Sequence, residues 1–313
     1  MPFDLYKNTE DNQKLPAFIP TQKDETYLPS EELQAAVNVA LALGQPLLIT
    51  GEPGTGKTQL AFHIAKQFDL GDPLVFHAQT NSVKKDLFYH YDALGHFQYV
   101  QNQKNEALSD TEMENRFIRY EALGEAIRLA NEAEAPKRSV VLIDEIDKSP
   151  RDLPNDLLFA IEKLKFEVPE IPSKRKWVCP TKLPPIIIIT SNSEKNLPDA
   201  FLRRVVYHHI KFPEDEARLL EILQSKGTSI NKKLDLMAIV NYFLDIRKMS
   251  LSKKPATAEL IAWAMLLSQL KFNTSKLSNP SKMSPSDKKT VKITFAVLAK
   301  SREDLQKLED NLN

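Results

Sequence analysis

The sequence predicts an α/β fold, a parallel sheet covered by helices on both faces, followed by an all-helical C-terminal region. Three observations predict it. Short apolar runs alternate with helix-period stretches up to about residue 212, the pattern of strands buried on both faces. A glycine-rich loop, Gly51-Glu52-Pro53-Gly54-Thr55-Gly56-Lys57-Thr58, follows the first of these runs and opens onto a helical pattern. Beyond Pro213, helical patterns succeed one another with no strand between them.

The elements follow in order. Residues 1–28 carry scattered prolines (Pro2, Pro16, Pro20) and little periodicity, and read as an N-terminal arm. Ser30 offers an N-cap with Glu31 and Glu32 in the first turn, where they complement the helix dipole. Leu33, Ala36, Val37, Ala40 and Leu41 recur at helical spacing, and Gly44 is a stop. Strands are predicted over 46–50, 74–77, 139–143, 186–190 and 205–211, with helices over 57–68, 113–134 and 152–164. The C-terminal region predicts helices over 214–224, 234–247 and 256–270. A segment rich in Ser, Lys, Asn and Pro over 273–289 reads as flexible. Residues 291–300 and 302–311 close the chain, the latter as a helix.

Composition narrows the function. The chain has 313 residues with 42 basic and 42 acidic side chains, so no global field draws it to nucleic acid or a membrane. Cys179 is the single cysteine, which rules out an intramolecular disulfide and a cysteine-rich metal site. His208 and His209 are adjacent on a strand, point to opposite faces, and cannot chelate one metal. Residues 1–27 lack an apolar core of signal-peptide length, and no run reaches transmembrane length. A soluble, cytoplasmic protein is expected.

The glycine-rich loop matches G-x-x-x-x-G-K-[ST], with glycines that let backbone N–H groups converge on phosphate oxygens. Lys57 places a positive charge for the β and γ phosphates, and the Thr58 hydroxyl can ligate Mg²⁺. Glu52, Pro53, Thr55 and Gln59 complete the nucleotide-binding stretch. The helix beyond, with Ala61, Ile64, Ala65 and Phe68 on one face, adds the dipole of its N-terminus. These features imply a nucleoside triphosphate as ligand.

A second segment supplies what that ligand needs. Asp144 emerges at the end of the apolar run Ser139-Val140-Val141-Leu142-Ile143 and can hold the Mg²⁺ shell, and Glu145 can polarise an attacking water. The blander alternative is an acidic pair that ends a strand. Asn192, at the end of Ile186-Ile187-Ile188-Ile189-Thr190-Ser191, is placed to orient that water; its alternative is a turn asparagine. Arg203 and Arg204 end the segment Leu197-Pro198-Asp199-Ala200-Phe201-Leu202, and a guanidinium beside the γ phosphate would stabilise transition-state charge. If it came from a neighbouring subunit, assembly would complete the site. Lys174-Arg175-Lys176 reads either as a solvated loop or as a hairpin tip whose Trp177 reaches a substrate.

Taken in this order, these segments resemble an AAA+ ATPase, and in detail the MoxR-type branch. Asp86-Leu87-Phe88-Tyr89-His90-Tyr91-Asp92-Ala93 is similar to that branch's Asp-Leu-Leu-Tyr-Arg-Tyr-Asp stretch. Ile143-Asp144-Glu145-Ile146-Asp147-Lys148, with Pro154-Asn155-Asp156-Leu157-Leu158 after it, is similar to its Walker B block. The similarity spans about 28–270 and continues more weakly through Lys300-Ser301-Arg302-Glu303-Asp304. It implies an α/β P-loop core over 29–212 with a five-stranded parallel sheet of order 5-1-4-3-2, an insert over about 80–119, and a helical lid over 213–313. Phe97-Gln98-Tyr99-Val100-Gln101 would be one strand of a hairpin in the insert.

The resemblance also implies roles. Lys57 and Thr58 are the P-loop contacts, Asp144 and Glu145 are Walker B, and Asn192 is sensor 1. Arg204 is the first choice for the arginine finger, and Arg203 the second. Pro255 stands where a lid arginine, sensor 2, is expected, leaving Lys254 as a substitute point charge. The implied activity is hydrolysis of ATP with Mg²⁺ in a ring, usually a hexamer, that remodels a protein partner carrying a von Willebrand factor A-type domain. Two other functions compete. One is a nucleotide-dependent oligomeric switch or scaffold. The other is a nucleic-acid motor or restriction-type subunit, which the neutral charge and the lack of a recognisable DNA-binding domain disfavour.

Overall fold

A computed structural model describes residues 26–102, 108–193, 197–226, 230 and 234–313. The arm expected over 1–28 lies outside them except for its last three residues. The described residues fall into two compact units, one holding those within 29–51 and 57–210, the other holding 26–28, 52–56 and those from 211 onward.

In the α/β unit, α1 (Glu31–Leu43) starts at Ser30, whose side chain accepts from the Leu33 N–H, and ends at Gly44 in the left-handed region (φ 63°). Then come β1 (Leu47–Gly51), α2 (Lys57–Gln67) and β2 (Leu74–His77). An insert follows, with β3 (Tyr89–Tyr91), α3 (Ala93–Asn102), α4 (Asp110–Phe117), β4 (Ile118–Tyr120) and α5 (Ala122–Ala130). The unit continues through β5 (Val140–Asp144), α6 (Leu153–Lys163), β6 (Lys165–Val168), β7 (Arg175–Val178), β8 (Ile186–Ser191), α7 (Asp199–Leu202) and β9 (Val206–Ile210).

The main sheet is parallel, in the order β2-β5-β8-β1-β9. Numbered over its own five strands and read from the β9 edge, that order is 5-1-4-3-2; numbered over the whole chain it differs, because two antiparallel pairs intervene. Leu47, Leu48, Ile49, Leu142 and Ile189 are fully buried in it, with α1, α2 and α5 packed against it. Continuous apolar runs suit such strands because neither face meets water.

Two expectations for the insert are corrected. The helix expected over 113–134 is cut by β4, which pairs antiparallel with β3 (Tyr89 opposite Tyr120, Tyr91 opposite Ile118). Long-range pairing of Ile118 and Tyr120, residues of high β preference, overrides the helical period there. Gly124 lets α5 approach that pair: a Cβ on it would lie 1.8 Å from the Phe88 carbonyl oxygen. Residues 97–101 are not a strand but part of α3. His96 and Tyr99 both pack on Phe117, at 4.9 and 5.8 Å between ring centroids, a spacing of three residues that fits a helix. Phe97 and Val100 are left exposed.

β6 and β7 form the second hairpin, so residues 174–176 do lie in one, but Trp177 does not reach outward. Its Nε1–H donates to the Tyr120 hydroxyl at 3.1 Å, and Arg175 pairs with Glu114 at 2.6 Å. Phe88 and Phe166 stack beneath at 4.9 Å.

The other unit contains α8 (Glu216–Ser225), α9 (Leu236–Lys248), α10 (Thr257–Gln269), α11 (Pro285–Leu298) and α12 (Arg302–Leu312). Its core is built on Phe243, Trp263, Leu267, Val291 and Phe295. The indole N–H of Trp263 is satisfied by the Thr294 hydroxyl at 2.8 Å. The segment expected to be flexible, 273–289, is ordered. Thr274 and Leu277 are buried in a short 3₁₀ turn, the Asp235 N–H donates to the Thr274 hydroxyl at 2.8 Å, and Ser284 with Pro285 starts α11. Its polar composition reflects capping and turn chemistry as well as solvation.

Asp304, fully buried near the start of α12, accepts from the Ser252 hydroxyl (2.6 Å), the Ser252 N–H (2.8 Å) and the Lys253 N–H (3.2 Å). The Ser252 hydroxyl first, then the backbone donors, hold its pKa down at about 2 against an ordinary 3.8. A depressed folded-state pKa contributes stability above the unfolded value that is lost as pH falls through the folded one. Melting curves should therefore show wild-type stability declining between about pH 4 and about pH 2. Asp304→Asn is expected to lower the melting temperature at pH 7 and to flatten that decline.

Candidate active site

The ends of β1, β5 and β8 carry a connected polar cluster. Lys57, the first residue of α2, is buried at 8 % exposure, and its Nζ donates to the Gly51 carbonyl and to Asn192 Oδ1, both at 2.9 Å. Burial pulls its pKa down, while Asp147, Asp144 and Glu145 pull it back up. The Thr58 hydroxyl donates to Asp144 Oδ1 at 3.1 Å. Asp144 ends β5 beside β8, and the Thr190 hydroxyl donates to the same Oδ1 at 2.6 Å. Glu145 follows in the left-handed region (φ 57°, ψ 48°), with its N–H donating to the Thr190 hydroxyl at 2.9 Å. Its carboxylate pairs with Lys148 at 2.5 Å, a contact that raises the lysine pKa. The backbone N–H of Asn192 donates to Asp147 Oδ1 at 3.1 Å, so the β8 end is tied to the turn after β5.

The sheet thus brings together Lys57, Thr58, Asp144, Glu145 and Asn192. Arg203 and Arg204 are not joined to them: they follow α7, where Arg204 pairs with Glu162 of α6 at 3.5 Å, with both side chains half exposed. Sequence reasoning missed Thr190 and also His77, the last residue of β2, whose Nδ1 lies 3.4 Å from Asp144 Oδ2. The position of His77 at a strand's carboxyl end was the signal that could have found it.

Residues 52–56 group with the helical unit. There Gly54 (φ 81°) has its carbonyl accept from the Ala258 N–H at 3.1 Å, and a Cβ on it would press on Ala256, Ala258 and Glu259 at 3.2–3.3 Å. Gly56 (φ 89°) lies against the Tyr27 ring, which a Cβ would meet at 3.0 Å. Lys254 is exposed in the connection before α10. Pro255 is buried, and its carbonyl accepts from Arg247, a residue the sequence did not single out. The Arg247 guanidinium sits 3.5 Å from the centroid of the Phe212 ring and 3.3 Å from Glu52 Oε2.

These residues fit a triphosphate with Mg²⁺. The Thr58 hydroxyl and Asp144 carboxylate offer oxygen donors to a hard cation, and the Lys57 ammonium next to them suits phosphate. Glycines at positive φ in the loop permit a phosphate-binding curl that side chains would oppose. A strand, a G-x-x-x-x-G-K-[ST] loop and a helix, followed later in the chain by a strand-end acidic pair, is the pattern of P-loop nucleotide-binding proteins.

Within that class, the sequence profile of the ATPase family associated with various cellular activities (AAA) matches residues 47–214. This is more than half of the chain, and the protein belongs to that family, whose members hydrolyse ATP. Among solved structures the chain is similar to two variants of RuvB from Thermotoga maritima. They have TM-scores of 0.46 and 0.41 and identities of 15 % and 16 %, and each alignment covers 85 % of this chain and 74 % of the other. It is also similar to a Cytophaga hutchinsonii protein assigned as an ATPase, at a TM-score of 0.37 and 15 % identity, covering 89 % of this chain and 86 % of that one. Comparison with curated proteins gave no match. Among the described residues, no helix is long and apolar enough to cross a membrane.

Proposed function

We propose that this AAA protein is a MoxR-type ATPase that hydrolyses ATP to ADP and phosphate in the cytoplasm and uses the cycle to remodel, activate or assemble a protein partner. The observation that carries the hydrolytic part is the hydrogen-bonded cluster linking Lys57, Asn192, Thr58 and Asp144, with Glu145 attached through its backbone. Lys57 holds the β and γ phosphates, and residues 51–59 wrap the phosphate chain. Thr58 and Asp144 would hold Mg²⁺, which would neutralise charge on the phosphate oxygens. Glu145 takes a proton from a water that Asn192 orients, the water oxygen bonds to the γ phosphorus, and the bond from that phosphorus to the β–γ bridging oxygen breaks, giving ADP and phosphate. Lys254 is the lid charge closest in sequence to the missing sensor 2 arginine. The resemblance to the MoxR branch supports a hexameric ring and a partner with a von Willebrand factor A-type domain.

In this reading Arg204, with Arg203 behind it, serves the neighbouring subunit. Its pair with Glu162 is solvent-exposed and contributes little to stability, so losing it should leave the fold intact. Arg204→Ala is expected to cut turnover on the order of 10³-fold with nucleotide binding retained. Mixing Arg204→Ala with Glu145→Gln should restore activity, because some interfaces then combine an intact glutamate with an intact arginine. Unchanged turnover in Arg204→Ala removes it from the site.

The partner is tested by a trap: Glu145→Gln with ATP, purified from native lysate, with co-purifying components identified by mass spectrometry. A near-stoichiometric protein partner supports remodelling. A bare ATP-dependent oligomer without wild-type turnover supports the switch, and recovered nucleic acid with DNA-stimulated turnover supports the motor.

A further inference from the structure

We propose that Thr190 is the positioning residue of the hydrolytic site, setting Asp144 and Glu145 together through one hydroxyl. The inference rests on the nucleotide reading above and extends it to a residue outside the P-loop, the acidic pair and Asn192. Thr190 lies on β8 at 1 % exposure, directly after Ile189, the cross-strand partner of Ile143. Its side chain therefore falls beside the end of β5. A threonine hydroxyl has one proton to give and lone pairs to accept with. Here the proton goes to Asp144 Oδ1 at 2.6 Å, and a lone pair accepts the Glu145 N–H at 2.9 Å.

Both bonds have consequences for the chemistry. Asp144 Oδ1 also takes the Thr58 hydroxyl at 3.1 Å, so Thr190 fixes the carboxylate rotamer that faces the other cation-binding oxygen. Glu145 stands at φ 57°, a conformation that L side chains adopt rarely. The N–H bond to Thr190 anchors that backbone. Serine keeps the hydroxyl, whereas valine keeps the shape and leaves the part-buried Glu145 N–H without its Thr190 acceptor and a carboxylate oxygen short of a donor.

The test compares wild type, Thr190→Val and Thr190→Ser. Two readouts are used: steady-state phosphate release, and Mg²⁺ titrations of a fluorescent ATP analogue. Thr190→Val is expected to lower kcat on the order of 10- to 100-fold with KM changed less than about threefold. The Mg²⁺ midpoint for analogue binding should rise on the order of tenfold, and Thr190→Ser should return both values to within about threefold of wild type. If Thr190→Val does not fold, Thr190→Ala is measured in its place. A wild-type protein that binds and turns over ATP, with both values unchanged in the valine or alanine variant, overturns the inference alone. So does a serine variant as impaired as valine. A wild-type protein showing neither Mg²⁺-dependent analogue binding nor turnover overturns the nucleotide reading and this inference with it.

Discussion

Lys57→Met is expected to weaken ATP binding on the order of 10²-fold and to reduce phosphate release to background. A hydrogen bond to a charged group contributes about 1.5–3 kcal/mol, and every 1.4 kcal/mol is about tenfold in affinity. The effect should be large here because the ammonium is buried at 8 % exposure and held in one place by the Gly51 carbonyl and Asn192. Methionine retains the length and apolar stem of lysine, so α2 should still pack on the sheet. The measurement is titration of a fluorescent ATP analogue beside a phosphate-release assay. An affinity within about threefold of wild type would exclude Lys57 as the phosphate-binding cation.

Glu145→Gln should separate binding from chemistry. The carboxamide preserves the size of the side chain, and the backbone N–H that reaches Thr190 is untouched. ATP affinity is therefore expected within about threefold of wild type, while kcat falls on the order of 10²–10⁴, the usual contribution of a general base. Single-turnover quench of bound radiolabelled ATP reads the chemical step directly. Normal turnover by this variant would show that another group accepts the proton. His77, 3.4 Å from Asp144, would then be the first alternative to mutate.

Much of the fold was legible in the chain because its signals are local. Ser30 and Gly44 bracket α1 through a side-chain cap and a left-handed stop, both of which depend on residue type at a single position. The buried strands announce themselves as unbroken apolar runs, and the glycine-rich loop needs only its own eight residues to be read. Lys57, Thr58, Asp144, Glu145 and Asn192 could each be named because each ends or begins such an element.

Other features were hidden because they depend on distant partners. Residues 118–120 carry a helical pattern and become a strand when β3 pairs with them. Residues 97–101 alternate like a strand, yet turn as a helix that sets two rings against Phe117. The polar stretch 273–289 looked flexible until Thr274, Leu277 and Met283 were seen buried in the helical core. Arg247 carries no motif, and the partners of Arg247 and Asp304, Pro255 and Ser252, lie in a connection whose path sequence does not specify.

The sequence by itself determined the five strands of the main sheet, the glycine-rich loop after the first of them and the acidic pair, since periodicity and side-chain chemistry are written residue by residue. The tertiary structure alone decided that Thr190 bonds to Asp144 and to Glu145, 45 residues away, and that Lys57 meets Asn192 across 135 residues. Such bonds arise from the register of neighbouring parallel strands, and that register is chosen by the packing of the whole sheet rather than by any segment within it.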